Sequence, residues 1–480
     1  MAKEWLSRRD ALPAALAAPN PPRLDPVRLA AEMAIARMAG RLSRLAGRGG
    51  GTTLPGKLLT AIDPHAISRL AERLPEGSVV VSATNGKTTT AAMASAILAP
   101  RYRLAHNAAG ANLASGVASA LVDASDAELG LFEVDEAALP ALAAALRPRV
   151  ISLGNLFRDQ LDRYGELELV AERWRAMAAA LPDESLLVVN ADDPLVADLP
   201  HSHSRTATFG VDDHAQRGAA LQHAADSKYC VRCGTPYAYE AAYVGHLGEY
   251  RCPACGHERP QLDVAARAIE PHGIAGISFD LTCAEGTARV RLQVPGLYNV
   301  YNALAAASMM RGLGVLLEEI ADGLGRASAA FGRFERVAAG DKTLIVLLIK
   351  NPAGANETVR TLLQEGGPSL AVVALNDGIA DGRDVSWIWD VDFEPLAERL
   401  GRVVVSGDRA SELALRFVYG GMDERQIEVV PELGAALDRG LELTEPGGEL
   451  VFLPTYTAML GLQRVITDRG WARPYWERVA

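Results

Sequence analysis

The chain lacks several things that would narrow its class by their presence. No apolar run in its 480 residues reaches the ~18 needed to read as a membrane span. The N-terminal stretch Met1–Pro22 carries Arg8 and Arg9, but its Ala/Pro mixture is broken by Asp10 and Asn20. It has neither the uninterrupted apolar core nor the cleavage site of a secretory signal, so a cytoplasmic location is expected. Positive charge is in deficit: 48 Lys and Arg face 59 Asp and Glu, a net −11. That argues against a nucleic-acid binder, which needs a basic surface to displace counterions. There is no internal repeat, and cysteine is scarce at five residues, four of them paired. What the chain has in plenty is apolar residues, 49% of the total, enough for real cores in roughly two to four domains. Positive charge does concentrate from Arg28 to Arg48, where Arg37, Arg41 and Arg44 alternate with Ile35, Leu42 and Leu45. Packing on its own domain is the expected role of that stretch, with peripheral contact to an anionic membrane the most it would add.

Residues Val81–Thr90 read V-S-A-T-N-G-K-T-T-T, between an apolar strand (Ser78–Ser82) and a small-residue helix (Thr88–Leu98). The pattern predicts a phosphate-binding loop. Gly86 lets backbone N–H groups approach phosphate oxygens, and the helix N-terminus presents free donors and the positive end of its dipole. Lys87 would neutralise β/γ charge and Thr88 would ligate Mg²⁺, with Thr84, Asn85 and Thr89 completing the ATP site. Ala83 stands where the compact form of this loop usually has its first glycine, a mild departure provided its φ is negative.

From Leu58 to about Gly325, strand-like runs (Ser78–Ser82, Glu128–Val134, Val150–Leu153, Leu186–Val189) alternate with Ala/Leu-rich helical stretches. This predicts an α/β fold with a parallel sheet covered by helices. A second alternating series, with strands at Leu344–Ile349, Leu370–Leu375, Arg402–Ser406, Gln426–Val430 and Glu449–Leu453, predicts a smaller doubly wound α/β C-terminal domain. The expected organisation is an N-terminal extension with a basic helix (1–50), an ATP-binding domain (51–332) and the C-terminal domain (333–480), with Phe331–Gly340 as the junction.

Four cysteines fall as Cys230-x-x-Cys233 and Cys252-x-x-Cys255, each pair followed by Gly, inside an insert spanning 226–260. Two thiolate pairs on tight knuckles predict a zinc ribbon. Four protein ligands leave no open position, so the Zn²⁺ is expected to be structural, and Tyr237, Tyr239, Tyr243 and Tyr250 to fill the hairpin between the pairs. Zinc ribbons also occur in nucleic-acid-binding ATPases, but Lys228, Arg232, Arg251 and Arg259 are few cations for that purpose.

Carboxylates and amides gather after later strands. Glu133 closes one in L-F-E-V-D-E, and Glu133 or Asp135, which share a face, should meet the Mg²⁺ that Thr88 begins to coordinate; Glu133 is taken as the candidate. Glu136 reads as a carboxylate at a helix N-terminus. Asn190 and Asp193, in V-N-A-D-D-P, follow another strand at the same sheet edge and are expected at the ATP site.

The order of A-T-N-G-K-T-T, E-V-D-E, N-L-F-R-D-Q-L-D-R-Y-G-E, V-N-A-D-D-P, T-F-G, G-L-Y-N-V-Y-N-A-L-A-A and F-G-R-F-E resembles the Mur ligase family, which activates a carboxylate as an acyl phosphate with ATP. T-L-P-G-K, the Cys₄ insert, K-N-P-A-G, the run Asn376–Glu394 and P-T-Y-T-A-M are similar to one branch of it, the synthetase subunits of lipid II isoglutaminyl synthase; the match covers nearly everything after about residue 27. The resemblance implies Asn299, Asn302 and Arg333 as further ATP-binding residues. It implies that the α-carboxylate of D-Glu in the lipid II stem peptide is amidated to D-isoglutamine, by ammonia from the glutamine that a separate GatD-type glutaminase hydrolyses. It further implies that Asp384, or failing that Asp381, completes the partner's Cys-His pair as a catalytic residue in trans, and that the enzyme works at the inner face of the cell membrane. Two departures from amino-acid-adding relatives are Asp159-Gln160 in place of an Asp-His pair, and the absence of any Lys between Lys87 and Lys228 that could be carbamylated. The usual N-terminal UDP-binding domain is not expected, since the stretch before the sheet is too short for it. The alternative within the family is a ligase adding an amino acid, as in folylpolyglutamate synthesis. Lys87→Ala is expected to abolish amidation and leave the fold intact.

Overall fold

The computed structural model describes residues 26–45, 53–158, 167–200, 203–218, 221, 225–327, 334–364 and 366–473. The larger sheet has nine strands: β1 (Ser78–Ser82), β2 (Leu104–His106), β3 (Leu129–Glu133), β4 (Val150–Leu153), β5 (Leu186–Asn190), β6 (Thr206–Val211), β9 (Val264–Pro271), β10 (Ile277–Cys283) and β11 (Gly286–Leu292). Between β6 and β9 the chain leaves the sheet to form the hairpin β7 (Ala238–Val244) and β8 (Leu247–Arg251). The sheet order is β11-β10-β9-β6-β5-β4-β1-β3-β2, with parallel pairing from β2 through β9 and an antiparallel edge formed by β9, β10 and β11.

All five residues of β1, SVVVS, are buried. A parallel strand covered on both faces has no solvent side, which is why it reads as a continuous apolar run instead of an alternation. Successive residues nevertheless serve different cores. Val79 and Val81 pack into one with Met93, Ile97, Val300 and Leu304, while Val80 packs into the other with Leu59, Ile67, Val117 and Trp174.

The second sheet contains β12 (Phe334–Ala339), β13 (Lys342–Leu347), β14 (Leu370–Ala374), β15 (Arg402–Ser406), β16 (Ile427–Val429) and β17 (Glu449–Pro454) in the order β12-β13-β17-β14-β15-β16. It is parallel apart from β12 against β13. Ile345, Val373 and Val405 face a layer containing Val359, Phe393 and Phe417. Their neighbours Leu344, Val372 and Val404 face Ala436, Leu437, Leu462 and Ile466. Helices thus cover both faces. At the expected junction, Phe334–Ala339 forms β12, the antiparallel edge of this sheet.

Candidate functional site

After β1 the chain turns through Ala83–Gly86 into the helix Lys87–Leu98. Gly86 has φ +92°, and a Cβ there would collide with Asn302 Oδ1, so only glycine lets the turn close against the helix Leu297–Gly312. Ala83 keeps a negative φ, since among the described residues the left-handed non-glycine positions are Arg147 and Ala268. Its methyl packs at Gly154, where an added Cβ would lie 2.8 Å away. The loop is held from outside itself. Thr84 N donates to Asn155 O (2.8 Å), Asn85 N to Asn155 Oδ1 (2.9 Å), and Phe157 N to Thr84 Oγ1 (3.1 Å).

Lys87 is buried and donates to Glu136 Oε2 at 2.7 Å, to Thr84 O at 3.3 Å and to Ala83 O. Burial works against its charge, but Glu136, Asp135 and Glu133 together outweigh that and hold its pKa above the ordinary lysine value. Burial likewise opposes ionisation of Glu136, and Lys87 with Lys350 overcomes it, leaving the carboxyl below its usual range. Glu136 therefore does not serve as a helix N-terminal carboxylate: the next helix begins at Leu139, and Glu136 is the counter-ion of the loop lysine. Glu133 is buried at the end of β3, its backbone clamped by Asn107, and a Cβ at Gly110 would lie 3.9 Å from both Glu133 Oε1 and Thr88 Oγ1. Two oxygens of the type that bind hard cations thus converge beside the loop.

A cleft of about 880 Å³, open to solvent, lies between the two sheet domains. Asn85, Gly86, Thr89, Asn155, Phe157, Tyr298, Asn299 and Asn302 line it from the first domain, and Lys350, Ala353, Gly354 and Thr358 from the second. Val244 and Leu247, at the tip of the β7–β8 hairpin, close one wall. Asn351 caps the helix Pro352–Leu363 by accepting from Gly354 N at 2.9 Å, and its amide pairs reciprocally with that of Asn85, at 2.9 and 3.3 Å. Neither Lys350 nor Asn351 is marked as a site residue by local sequence, although both sit in the K-N-P-A-G run.

Other expected residues fall elsewhere. Asn190 and Asp193 are fully buried and are not among the cleft's lining residues. Asn190 Oδ1 accepts from Asp192 N at 3.0 Å, and Asp193 accepts from Leu195 N, Val196 N and Leu156 N, fixing the chain that carries Asn155. Arg333, Asp159 and Gln160 lie outside the described residues. In the second domain Asp381 is buried, accepting from the backbone N–H and hydroxyl of Thr457, and burial raises its pKa. Asp384 is exposed, and its contacts with Ser386, whose N–H donates to Oδ1 at 2.9 Å, hold its pKa low.

The four paired cysteines also converge. All four sulfurs lie within 4.8 Å of one another, with Cys230–Cys255 at 3.5 Å and Cys233–Cys252 at 3.4 Å. Four thiolates at ~2.3 Å around a tetrahedral ion stand about 3.8 Å apart, so the cluster fits one zinc without rearrangement of the fold. Gly234 and Gly256, with φ +74° and +75°, turn the two knuckles, and Tyr237, Tyr239 and Tyr250 pack beside them with ring centroids 5.1–6.3 Å apart.

This arrangement has counterparts among known proteins. Residues 81–251 match the Mur ligase middle domain, and residues 348–459 the MurT ligase C-terminal domain. The lipid II isoglutaminyl synthase (glutamine-hydrolyzing) subunit MurT of Staphylococcus aureus (strain N315) is 31% identical over 432 residues, 88% of this chain and 94% of that protein. The subunit of the same name from Streptococcus pneumoniae (strain ATCC BAA-255 / R6) is 32% identical over 444 residues, 91% of this chain and 97% of that one. Among solved structures, the pseudomurein peptide ligase type C of Methanothermus fervidus superposes with a TM-score of 0.67 at 20% identity, covering 84% of this chain and 80% of that one, a likeness of fold. With both domains in order and such relatives matched along almost their whole length, the chain belongs to the MurT family of Mur ligases, enzymes that form carbon–nitrogen bonds.

Proposed function

We propose that this chain is the synthetase subunit that amidates the D-Glu α-carboxylate of the lipid II stem peptide to D-isoglutamine. ATP transfers its γ-phosphoryl group to the carboxylate, releasing ADP. Ammonia then attacks the acyl phosphate, and phosphate leaves as the amide forms. The observation that carries this reading is the cleft in which Asn85 and Gly86 of the loop meet Lys350 and the Asn351-capped helix, elements drawn from the two matched family domains.

In this reading the loop N–H groups and Lys87 hold the phosphates, with Lys87 leaving Glu136 for the developing charge on the transferred group. Asn85, Thr89, Asn299 and Asn302 bound the nucleotide, and Arg333 is assigned to the same task. Asn190 and Asp193 act on it by fixing the Asn155–Phe157 segment against Thr84. Thr88 and Glu133 would hold Mg²⁺, which when bound neutralises phosphate charge. Cys230, Cys233, Cys252 and Cys255 would hold a structural Zn²⁺. Residues 1–50, 51–332 and 333–480 remain the working units, with the insert at 226–260.

Ammonia would come from a GatD-type glutaminase partner, and the trans role is assigned to Asp384 ahead of Asp381 because Asp384 is exposed, whereas Asp381 is buried and accepts from Thr457. The reaction would take place on the cytoplasmic face of the membrane. The acidic chain supports no nucleic-acid role. The test is an ATP- and glutamine-dependent conversion of lipid II by the co-purified complex, followed by mass spectrometry. Exchange of a hydroxyl for an amino group supports amidation, whereas gain of an amino-acid residue would establish the folylpolyglutamate-like alternative.

A further inference from the structure

The helix Pro26–Leu45 has two apolar faces, and its own domain uses one of them. Met33, Ala36 and Gly40 turn inward: Met33 and Ala36 are buried, a Cβ at Gly40 would lie 2.7 Å from Pro55, and the neighbouring Arg37 donates to Val122 O at 2.9 Å. At about 100° per residue, Ile35, Met38 and Leu42 fall on a stripe roughly 160° from that face. They are 46%, 59% and 60% exposed. The adjoining helix Leu54–Ile62 adds Leu54 and Ile62, also exposed.

The charge around this stripe is opposite to that of the rest of the molecule. Along the sequence from 26 to 62 there are six cations, Arg28, Arg37, Arg41, Arg44, Arg48 and Lys57, and one acid, Glu32, which pairs with Arg28 at 3.0 Å, a count of +5 in a chain whose total is −11. Arg28 and Arg41 flank the stripe, and Arg41 and Lys57 are exposed. Large apolar side chains in a row, bordered by arginine and lysine on a helix anchored by its opposite face, have the composition of a surface that lies in the interfacial layer of an anionic bilayer.

We propose that the helix pair Pro26–Leu45 and Leu54–Ile62 is a membrane-docking platform, inserting Ile35, Met38 and Leu42 among lipid headgroups of an anionic membrane. The proposal deepens the assigned function, because a substrate with a lipid anchor can be processed only by an enzyme that approaches the bilayer. The helix Leu54–Ile62 packs on the helix Ala114–Asp123, with Gly56 N donating to Ser119 Oγ at 2.8 Å, which couples the platform rigidly to the larger domain.

The test is flotation of the full chain with phosphatidylcholine vesicles, with and without phosphatidylglycerol. Binding is expected only to the anionic vesicles and should weaken with salt. Met38→Glu/Leu42→Glu and Arg41→Glu/Lys57→Glu should each lower partitioning at least about tenfold, with ATP binding and thermal unfolding unchanged. Equal binding to neutral vesicles, or wild-type binding by both variants, overturns the proposal. So does a dimer in light scattering that Leu42→Glu dissociates while vesicle binding is absent. Amidation of a water-soluble stem-peptide analogue separates the two readings: activity on it without vesicle binding leaves the function standing and removes the platform.

Discussion

Replacing Lys87 by Met removes the charge that the proposed mechanism brings to phosphate, and it also removes the counter-ion of a buried carboxylate. Lys87 and Glu136 are joined at 2.7 Å with both side chains 9% exposed, and Asp135 and Glu133 add to the same local field. Breaking a buried pair from one side typically costs ~3–5 kcal/mol, because the remaining charge is left in a poor solvent, whereas replacing both partners is far milder. Lys87→Met should therefore destabilise the protein by about 3–5 kcal/mol, and the simpler expectation of an intact fold is replaced by one of a weakened fold. Lys87→Met/Glu136→Gln should recover at least about half of that loss while amidation stays depressed by at least ~10²–10³-fold, since the phosphoryl group still lacks its cation. The pH dependence has a definite sign. Glu136 is held below 4.5, so its contribution is complete above that value and is lost as pH falls through the lower folded value. Lys87 is held above 10.5, so its contribution is complete below that value and is lost only as pH rises through the higher folded value. The stability gap between wild type and the double variant should be level between pH 4.5 and 10.5 and narrow on the acid side. Urea unfolding at several pH values, paired with amidation assays, measures both effects. A double variant as unstable as Lys87→Met would refute the ion-pair argument, and amidation by Lys87→Met near the wild-type rate would refute the loop assignment.

Purified without chelators, the protein should carry one zinc per chain, and Cys252→Ser should lose it. Because Val244 and Leu247 at the hairpin tip wall the cleft, metal loss should raise the KM for ATP more than it lowers kcat; zinc-free protein with unchanged ATP kinetics would contradict this. Asp384→Asn should reduce glutamine hydrolysis by the bound partner, on the order of the ~10⁴-fold seen when a triad aspartate is neutralised, with assembly intact. Glutamate release at the wild-type rate would sink that role. Asp381→Asn should instead lower the unfolding temperature, because the buried carboxylate tethers Thr457 at the start of the last described helix. Gly86→Ala should impair both folding and nucleotide binding, since it meets Asn302 and a positive φ at once, and equilibrium ATP binding equal to wild type would show that the loop tolerates a Cβ.

The sequence by itself determined the alternation of buried strands and helices, the glycine turn from β1 into the helix Lys87–Leu98 and the convergence of the cysteine pairs. Each of these is local: a buried parallel strand is a short apolar run, a loop that wraps an anion needs glycine next to a helix start, and a thiolate knuckle is four residues long. The three-residue edge strand β2 is too short to show a period, whereas β10, ISFDLTC, alternates along its length with Ile277, Phe279 and Leu281 buried, so that strand was legible in the sequence. What only the tertiary structure decided is which polar residues meet. Asn85 and Asn351 stand 266 positions apart yet exchange hydrogen bonds across the cleft, and Glu136 finds Lys87 on a neighbouring strand's loop. Asn190 and Asp193, which look like ligands beside a strand end, turn inward to satisfy backbone N–H groups. The stripe Ile35–Leu42 reads in sequence like any packing helix, and only knowing which face Met33 and Ala36 occupy reveals that the other is left in solvent. Side-chain partnership depends on distances that the chain sets by folding back on itself, and a one-dimensional pattern does not carry them.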